Sequence, residues 1–295
     1  MPASTHLRTV GALAGEMTAL LAISLGDAAE GEARELLAAL HDMPRHWASV
    51  ARDTVVGSEA WDVALAAAVR RAAGAPLQYA AGVASFRHLT LAVDERVLIP
   101  RPETEQLVEI VLGLTADGAG TTIVDVGTGS GAIALSLASE GPYGRVIATD
   151  ISRDALDVAQ ANARRAATAL RAPVEFRHGS LLAPVRERGL RAVVSNPPYI
   201  ALSEADALPA GVRDWEPSVA LFSGADGMAT TAQLVDEAAR VLAAGGVLAL
   251  EVDARRASIA ARVAAAHGAY EGVRVMLDLT GRERFVVARR REEQG

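Results

Sequence analysis

The chain has 295 residues, 51% of them hydrophobic, and a formal net charge of -7. That is ample apolar material for a packed core, and a length of about two ordinary domains. The absence of Cys excludes disulfides, thiolate metal sites and a thiol nucleophile, and the acidic balance disfavours a protein that grips nucleic-acid phosphates with many basic side chains.

Residues 5 to about 73 read as helices. Apolar positions Leu7, Val10, Leu13, Met17, Leu20 and Leu21 recur at helical spacing, followed by Leu36, Leu37 and Leu40, then by Trp61, Leu65 and Val69. Breaks fall at Gly26-Asp27, Met43-Pro44 and Gly57-Ser58, where Ser58 is expected to cap a helix with Asp62 in its first turn. This predicts a small helical bundle with Trp47 and Trp61 in its core. Residues 1–75 carry six Arg against nine acidic side chains, a poor balance for a nucleic-acid arm. No uninterrupted apolar run reaches membrane-spanning length, and the N-terminus lacks a basic start with a short apolar run, so a cytoplasmic protein is expected. His41 and His46, the nearest His pair, do not share a helical face, and no metal is expected.

After Gly74-Ala75-Pro76 the pattern alternates: Val83, Ser85 and Arg87 run out of phase with Ala84 and Phe86, and Leu89, Leu91 and Val93 follow. This predicts a β-hairpin linker over 76–100, between a helical domain at 1–75 and a second domain at 101–295. From about Glu103, strands (121–126, 145–150, 173–177, 191–195, 246–252, 272–278, 284–289) alternate with helices (130–140, 152–167, 228–243, 255–267). Such alternation implies an α/β fold, a mostly parallel doubly wound sheet with helices on both faces. The last two strands, joined through Thr280-Gly281, are expected to pair antiparallel at the sheet's end.

The strand Thr122-Ile123-Val124-Asp125-Val126 runs into Gly127-Thr128-Gly129-Ser130-Gly131 and then a helix. Glycines there let the backbone approach a ligand, and Asp150, closing the next strand, is placed to accept hydrogen bonds from ribose hydroxyls. A tight strand-to-helix turn without a ligand would use the same glycines. The third polar strand end is Asn196-Pro197-Pro198-Tyr199, in a chain with only two Asn, the other being Asn162, and no Lys among its 29 basic residues. A conjugated NH2 nitrogen is a poor nucleophile because its lone pair is delocalised. Positioning must help it: the Asn196 side-chain oxygen and the Pro197 carbonyl can each accept one N–H, stabilising charge that develops on the nitrogen. Tyr199 is expected to set its ring near a sulfonium or stack on the substrate. These residues point to a methyl-transfer site.

Together with Leu98-Ile99-Pro100-Arg101-Pro102-Glu103-Thr104-Glu105, these motifs resemble the HemK/PrmC family of protein-(glutamine-N5) methyltransferases. Further matching pieces are Pro76-Leu77-Gln78-Tyr79, Gly82, 124–135, Asp150-Ile151-Ser152, 194–200, Glu216-Pro217, 224–227 and Asp278-Leu279 with Gly281. The resemblance implies a seven-stranded Rossmann-like class I methyltransferase domain using S-adenosylmethionine, with a helical N-terminal domain that grips the substrate. The substrate would be a class I peptide chain release factor, methylated on the glutamine of its Gly-Gly-Gln motif. By the same match, the cofactor would meet Gly127, Thr128, Gly129, Ser130, Gly131, Asp150, Ser180, Leu181 and Asn196. The glutamine would meet Asn196, Pro197, Pro198, Tyr199, Arg101 and Glu103, although the segment around Glu103 would serve equally as a linker whose acid caps the next helix. Three positions depart from the family pattern: Ser180 stands for the usual Asp, Ser218 follows Glu216-Pro217 in place of Arg, and Asp253 replaces the Gly of a Glu-x-Gly motif. Two other functions would use similar motifs: an amino methyltransferase acting on an exocyclic nitrogen such as that of adenine in RNA or DNA, and a catalytically silent cofactor-binding module.

Overall fold

The computed structural model describes residues 8–292, so Leu7 lies outside the described residues. Contacts divide the chain into two compact units. The first is the chain up to Ala84 with Ala92–Glu95 and Ala210–Trp215; the second is Ser85–Leu91, Arg96–Pro209 and the chain from Glu216 onward.

The first unit is helical: α1 (Val10–Leu25), α2 (Ala29–Leu40), α3 (Trp47–Val50), α4 (Ser58–Ala72) and α5 (Leu77–Ala81). Thr9 caps α1 by accepting the Ala12 amide, and Gly26, at φ 52°, ends it. The i, i+3/i+4 stripe Val10, Leu13, Met17 and Leu21 is fully buried and packs with Leu36, Leu37, Trp61 and Ala68. Trp61 sits in this core and Trp47 packs against it. Residues Val10–Leu40 are together long and apolar enough to cross a membrane by composition, but Gly26 interrupts the run and its apolar stripe is spent on the bundle core. At α4 the expected cap shifts by one residue: Gly57 holds the cap position without a side-chain bond, Ser58 is already helical, and Glu59 is the acid of the first turn.

A hairpin, β1 (Val83–Phe86) and β2 (Leu89–Ala92), precedes α6 (Pro102–Leu114). Pro102 opens α6, where its missing N–H costs nothing, and Glu103 and Glu105 complement the helix dipole. Then come β3 (Thr122–Val126), α7 (Ala132–Glu140), β4 (Arg145–Asp150), α8 (Arg153–Arg165), β5 (Val174–His178) and β6 (Leu190–Ser195). The short helices α9 (Ala210–Arg213) and α10 (Ser218–Leu221) lead to α11 (Ala229–Val241), β7 (Leu242–Glu251), α12 (Ala257–Ala266), β8 (Tyr270–Leu277) and β9 (Glu283–Arg290).

The seven-stranded sheet runs β5-β4-β3-β6-β7-β9-β8, parallel from β5 to β7 and antiparallel beyond. Side chains alternate across it: Ile123, Val146, Ala192 and Val247 pack with Leu107 and Leu135 on one face, while Val124, Ile147, Val193 and Leu248 pack with Leu234 and Ala260 on the other. Each such buried Val, Leu or Ile side chain contributes about 1.5–3 kcal/mol, which fixes register, since a one-residue slip would invert both faces. Winding proceeds outward from β3 to β5 and then returns to β6, so the direction reverses between β3 and β6, where open α/β sheets hold ligands.

Candidate active site

Register sets the site. Val126 pairs with Thr149 on one side and Ser195 on the other, so the residues that follow, Gly127, Asp150 and Asn196, emerge level at the carboxyl edge of the sheet. Cross-strand bonds hold the three ends together. Gly127 and Thr128 donate their amides to the Thr149 carbonyl at 2.9 Å each, and the Ser195 hydroxyl donates to the Val126 carbonyl at 2.7 Å.

The glycine loop divides into residues that face outward and residues that support it. Gly127 (φ 72°) and Gly129 (φ 54°) line a cleft, and a Cβ built on either would project into open space rather than into protein. Thr128, Ser130 and Gly131 do not line it. The buried Thr128 hydroxyl donates to Asp125 at 2.7 Å, and the Ser130 carbonyl accepts Asn162 Nδ2 at 2.9 Å. Gly131 (φ 85°) caps α7, where a Cβ would lie 3.1 Å from Leu135 Cδ1 and 3.3 Å from Ala159 Cβ. The scarcity of Asn thus singles out two useful residues, but Asn162 serves the loop rather than a ligand. Asp125, absent from the sequence-derived site, is fully buried and also accepts the Ala134 amide at 3.1 Å; burial pushes its pKa up to about 7.

The cleft has a volume of about 260 Å³, near the lower end of the roughly 300–1,000 Å³ usual for small-molecule sites. Asp150 lies on its wall, each oxygen taking one amide: Oδ2 that of Gly129 and Oδ1 that of Ser152, both at 2.9 Å. Burial raises its pKa, opposed by those bonds, and each oxygen keeps a lone pair for a hydroxyl donor. Ser180 and Leu181 close the same wall. Leu181 sits at φ 46°, an unfavourable conformation for Leu, pinned by the Thr149 hydroxyl on its carbonyl and the Leu182 amide on Glu237. Val219, Ala220 and Phe222 from α10 and its end supply an apolar wall that the sequence reading did not foresee; Ser218 itself is exposed. Backbone approach at two glycines, a carboxylate at the next strand end and apolar walls fit an adenosyl cofactor.

Asn196 and Pro198 line the cleft; Pro197 is buried, and Tyr199 lies outside the lining. The Tyr199 ring is therefore not set against the cleft as expected, and its burial pushes the phenol up to about 12, so it stays neutral. Asn196 Nδ2 donates to Thr104 Oγ1 at 3.3 Å, and Thr104 Oγ1 donates to Glu251 Oε2 at 2.8 Å. Burial, the largest influence on Glu251, pushes its pKa up to about 7. Arg101 does not touch the cleft; its guanidinium donates to both oxygens of buried Glu216 at 2.6 Å, anchoring Pro217, which does. Glu103 lies beside Glu251 as a like charge rather than in the cleft lining. Asp253 accepts the Arg255 amide and Nε, and the neighbouring Arg256 donates to the Asp226 carbonyl and to Glu204, tying the start of α12 to the segment after Tyr199. Among the described residues no group of three His, Asp or Glu side chains could hold a metal ion.

Residues 105–208 match the Methyltransferase small domain and residues 16–82 the PrmC N-terminal domain. The chain is 48% identical to the release factor glutamine methyltransferase of Moorella thermoacetica over 76% of its own length and 78% of that protein. It is 41% identical to the protein of the same name from Deinococcus radiodurans, over 79% of this chain and 80% of the other. Among solved structures, the ribosomal protein L11 methylase of Lactobacillus delbrueckii aligns with a TM-score of 0.50 at 20% identity, covering 71% of this chain and 99% of that one, which shows the shared fold.

Proposed function

Because the chain belongs to the release factor glutamine methyltransferase family, we propose that it moves a methyl group from S-adenosylmethionine to the side-chain nitrogen of a glutamine in a peptide chain release factor. The target is the glutamine of the Gly-Gly-Gln motif of class I release factors, and the work is done in the cytoplasm. The observation that carries this reading is the convergence of Gly127, Asp150 and Asn196 on one cleft at the winding reversal.

When bound, the cofactor supplies an electrophilic methyl group on a sulfonium sulfur. The residues of the chain do the rest. Gly127 and Gly129 admit the cofactor against the backbone, Asp150 accepts from its ribose, and Ser180 and Leu181 pack its base. Asn196 Oδ1 and the Pro197 carbonyl each accept one N–H of the glutamine, which orients the nitrogen and stabilises its growing positive charge. No base need act first, because the nitrogen sheds its surplus proton to water once the methyl group has been transferred. Alignment of this kind accounts for roughly 7–11 kcal/mol of barrier in favourable cases. Pro198 stiffens the loop.

The test is incubation with methyl-labelled cofactor and a release factor, followed by peptide mass mapping. Label on the Gly-Gly-Gln glutamine is expected. Label only in added RNA or DNA, or none in any substrate despite cofactor binding, would overturn the reading.

A further inference from the structure

We propose that Thr104 and Glu251 form a directional hydrogen-bond relay that decides which end of the Asn196 carboxamide faces the substrate, so that ionised Glu251 sets the site in its active form. The relay deepens the function proposed above and rests on it. Its three members are brought together from far apart in the chain: Thr104 in the first turn of α6, Glu251 at the end of β7, and Asn196 just beyond β6. Thr104 and Glu251 are 5% and 1% exposed, so water does not substitute for either partner.

Direction follows from the donor inventory. An ionised carboxylate only accepts, so the single Thr104 hydrogen goes to Glu251 and leaves only lone pairs toward Asn196. Asn196 must then donate through Nδ2, as it does, which leaves Oδ1 as the end it can offer to the cleft it lines. A substrate NH2 requires that acceptor. With a proton on Glu251 the chain can reverse: the carboxyl donates to Thr104, Thr104 donates to Asn196 Oδ1, and the Asn196 NH2 meets the substrate NH2 donor to donor.

The groups facing Glu251 set the balance. Arg284 on β9 and Arg101 ahead of α6 favour its ionised form, Glu103 on α6 opposes it, and Tyr199 faces it as a neutral phenol. Burial outweighs these and holds the carboxyl at about 7, within the working range of a cell. Asp150, the carboxylate that lines the cleft, bears on cofactor affinity and drops out when the cofactor saturates.

The relay is tested with saturating cofactor and a Gly-Gly-Gln release factor, measuring kcat between pH 6 and 8 and cofactor Kd separately. Wild-type kcat should rise with pH through about 7 and level off above it. Thr104→Val should lower kcat roughly 10–100-fold, the scale of a small misplacement of a reacting group, with cofactor Kd unchanged. Thr104→Ser should restore it. Glu251→Gln, which can point either a donor or an acceptor at Thr104, should lower kcat and flatten the pH profile. Wild-type kcat in Thr104→Val, a wild-type profile without an acid limb, or an unchanged limb in Glu251→Gln would each overturn the relay. Absence of methyl transfer by the wild-type protein would instead overturn the proposed function, so the two failures are distinguishable.

Discussion

The loops after β3 and β6 leave neighbouring strands at the same level, yet they are built on opposite plans. After β3 the ligand-facing surface is backbone: Gly127 and Gly129 leave empty space where side chains would stand, and the side chains of the loop, Thr128 and Ser130, are buried. After β6 the ligand-facing surface is a side chain, Asn196, whose orientation depends on two buried partners from elsewhere in the chain. The backbone plan suits a cofactor that must only be bound. The side-chain plan suits a nitrogen that must be aimed, because a carboxamide offers a donor and an acceptor and the fold must choose between them.

That contrast predicts where substitutions will act. The largest expected effect is on turnover alone: Asn196→Ala should keep cofactor affinity and lower kcat about 10²–10³-fold, the loss seen when a transition-state hydrogen bond is removed. Steady-state kinetics beside calorimetric titration of the cofactor would check it, and a parallel loss of cofactor affinity would erase the distinction between the loops. Next is an effect on binding alone. Asp150→Asn keeps the shape of the wall but sets an NH2 against the Gly129 or Ser152 amide, and should raise the cofactor Kd about 10–100-fold with kcat at saturation nearly preserved, as expected for a lost charge-assisted bond. Smallest, and felt in stability rather than function, is Gly131→Ala. Its φ of 85° and the contacts awaiting a Cβ predict a loss of about 1–2 kcal/mol, read as a thermal midpoint lower by a few degrees at unchanged cofactor affinity.

Much of this was readable before the chain folded. The strand expected over 145–150 is Arg145–Asp150, the final two strands pair antiparallel as the Thr280-Gly281 turn implied, and the burial of Ala84 and Phe86 follows the alternation of the hairpin. Local signals were weaker where several residues compete for one role. Gly57 took the cap position because Ser58 entered the first turn of α4, and β7 begins at Leu242, ahead of the expected start, by pairing with Leu190 across a register shift. Within the site, the glycine pattern could not separate Gly127 and Gly129, which face the cleft, from Gly131, which packs against α7 and α8.

Sequence alone determined the α/β alternation, the helical first unit, the glycine turn, Asp150 and the Asn-Pro-Pro-Tyr loop, because each is written in residues a few positions apart. Tertiary structure alone decided that Arg101 anchors Glu216 rather than lining the cleft, that Tyr199 lies outside the cleft lining, and that Asn196 reaches Glu251 through Thr104. Those partners are separated by 115, 92 and 147 residues, and no local pattern encodes such pairs. They exist because strand register and helix packing bring distant buried polar groups together, where each must find a hydrogen-bond partner.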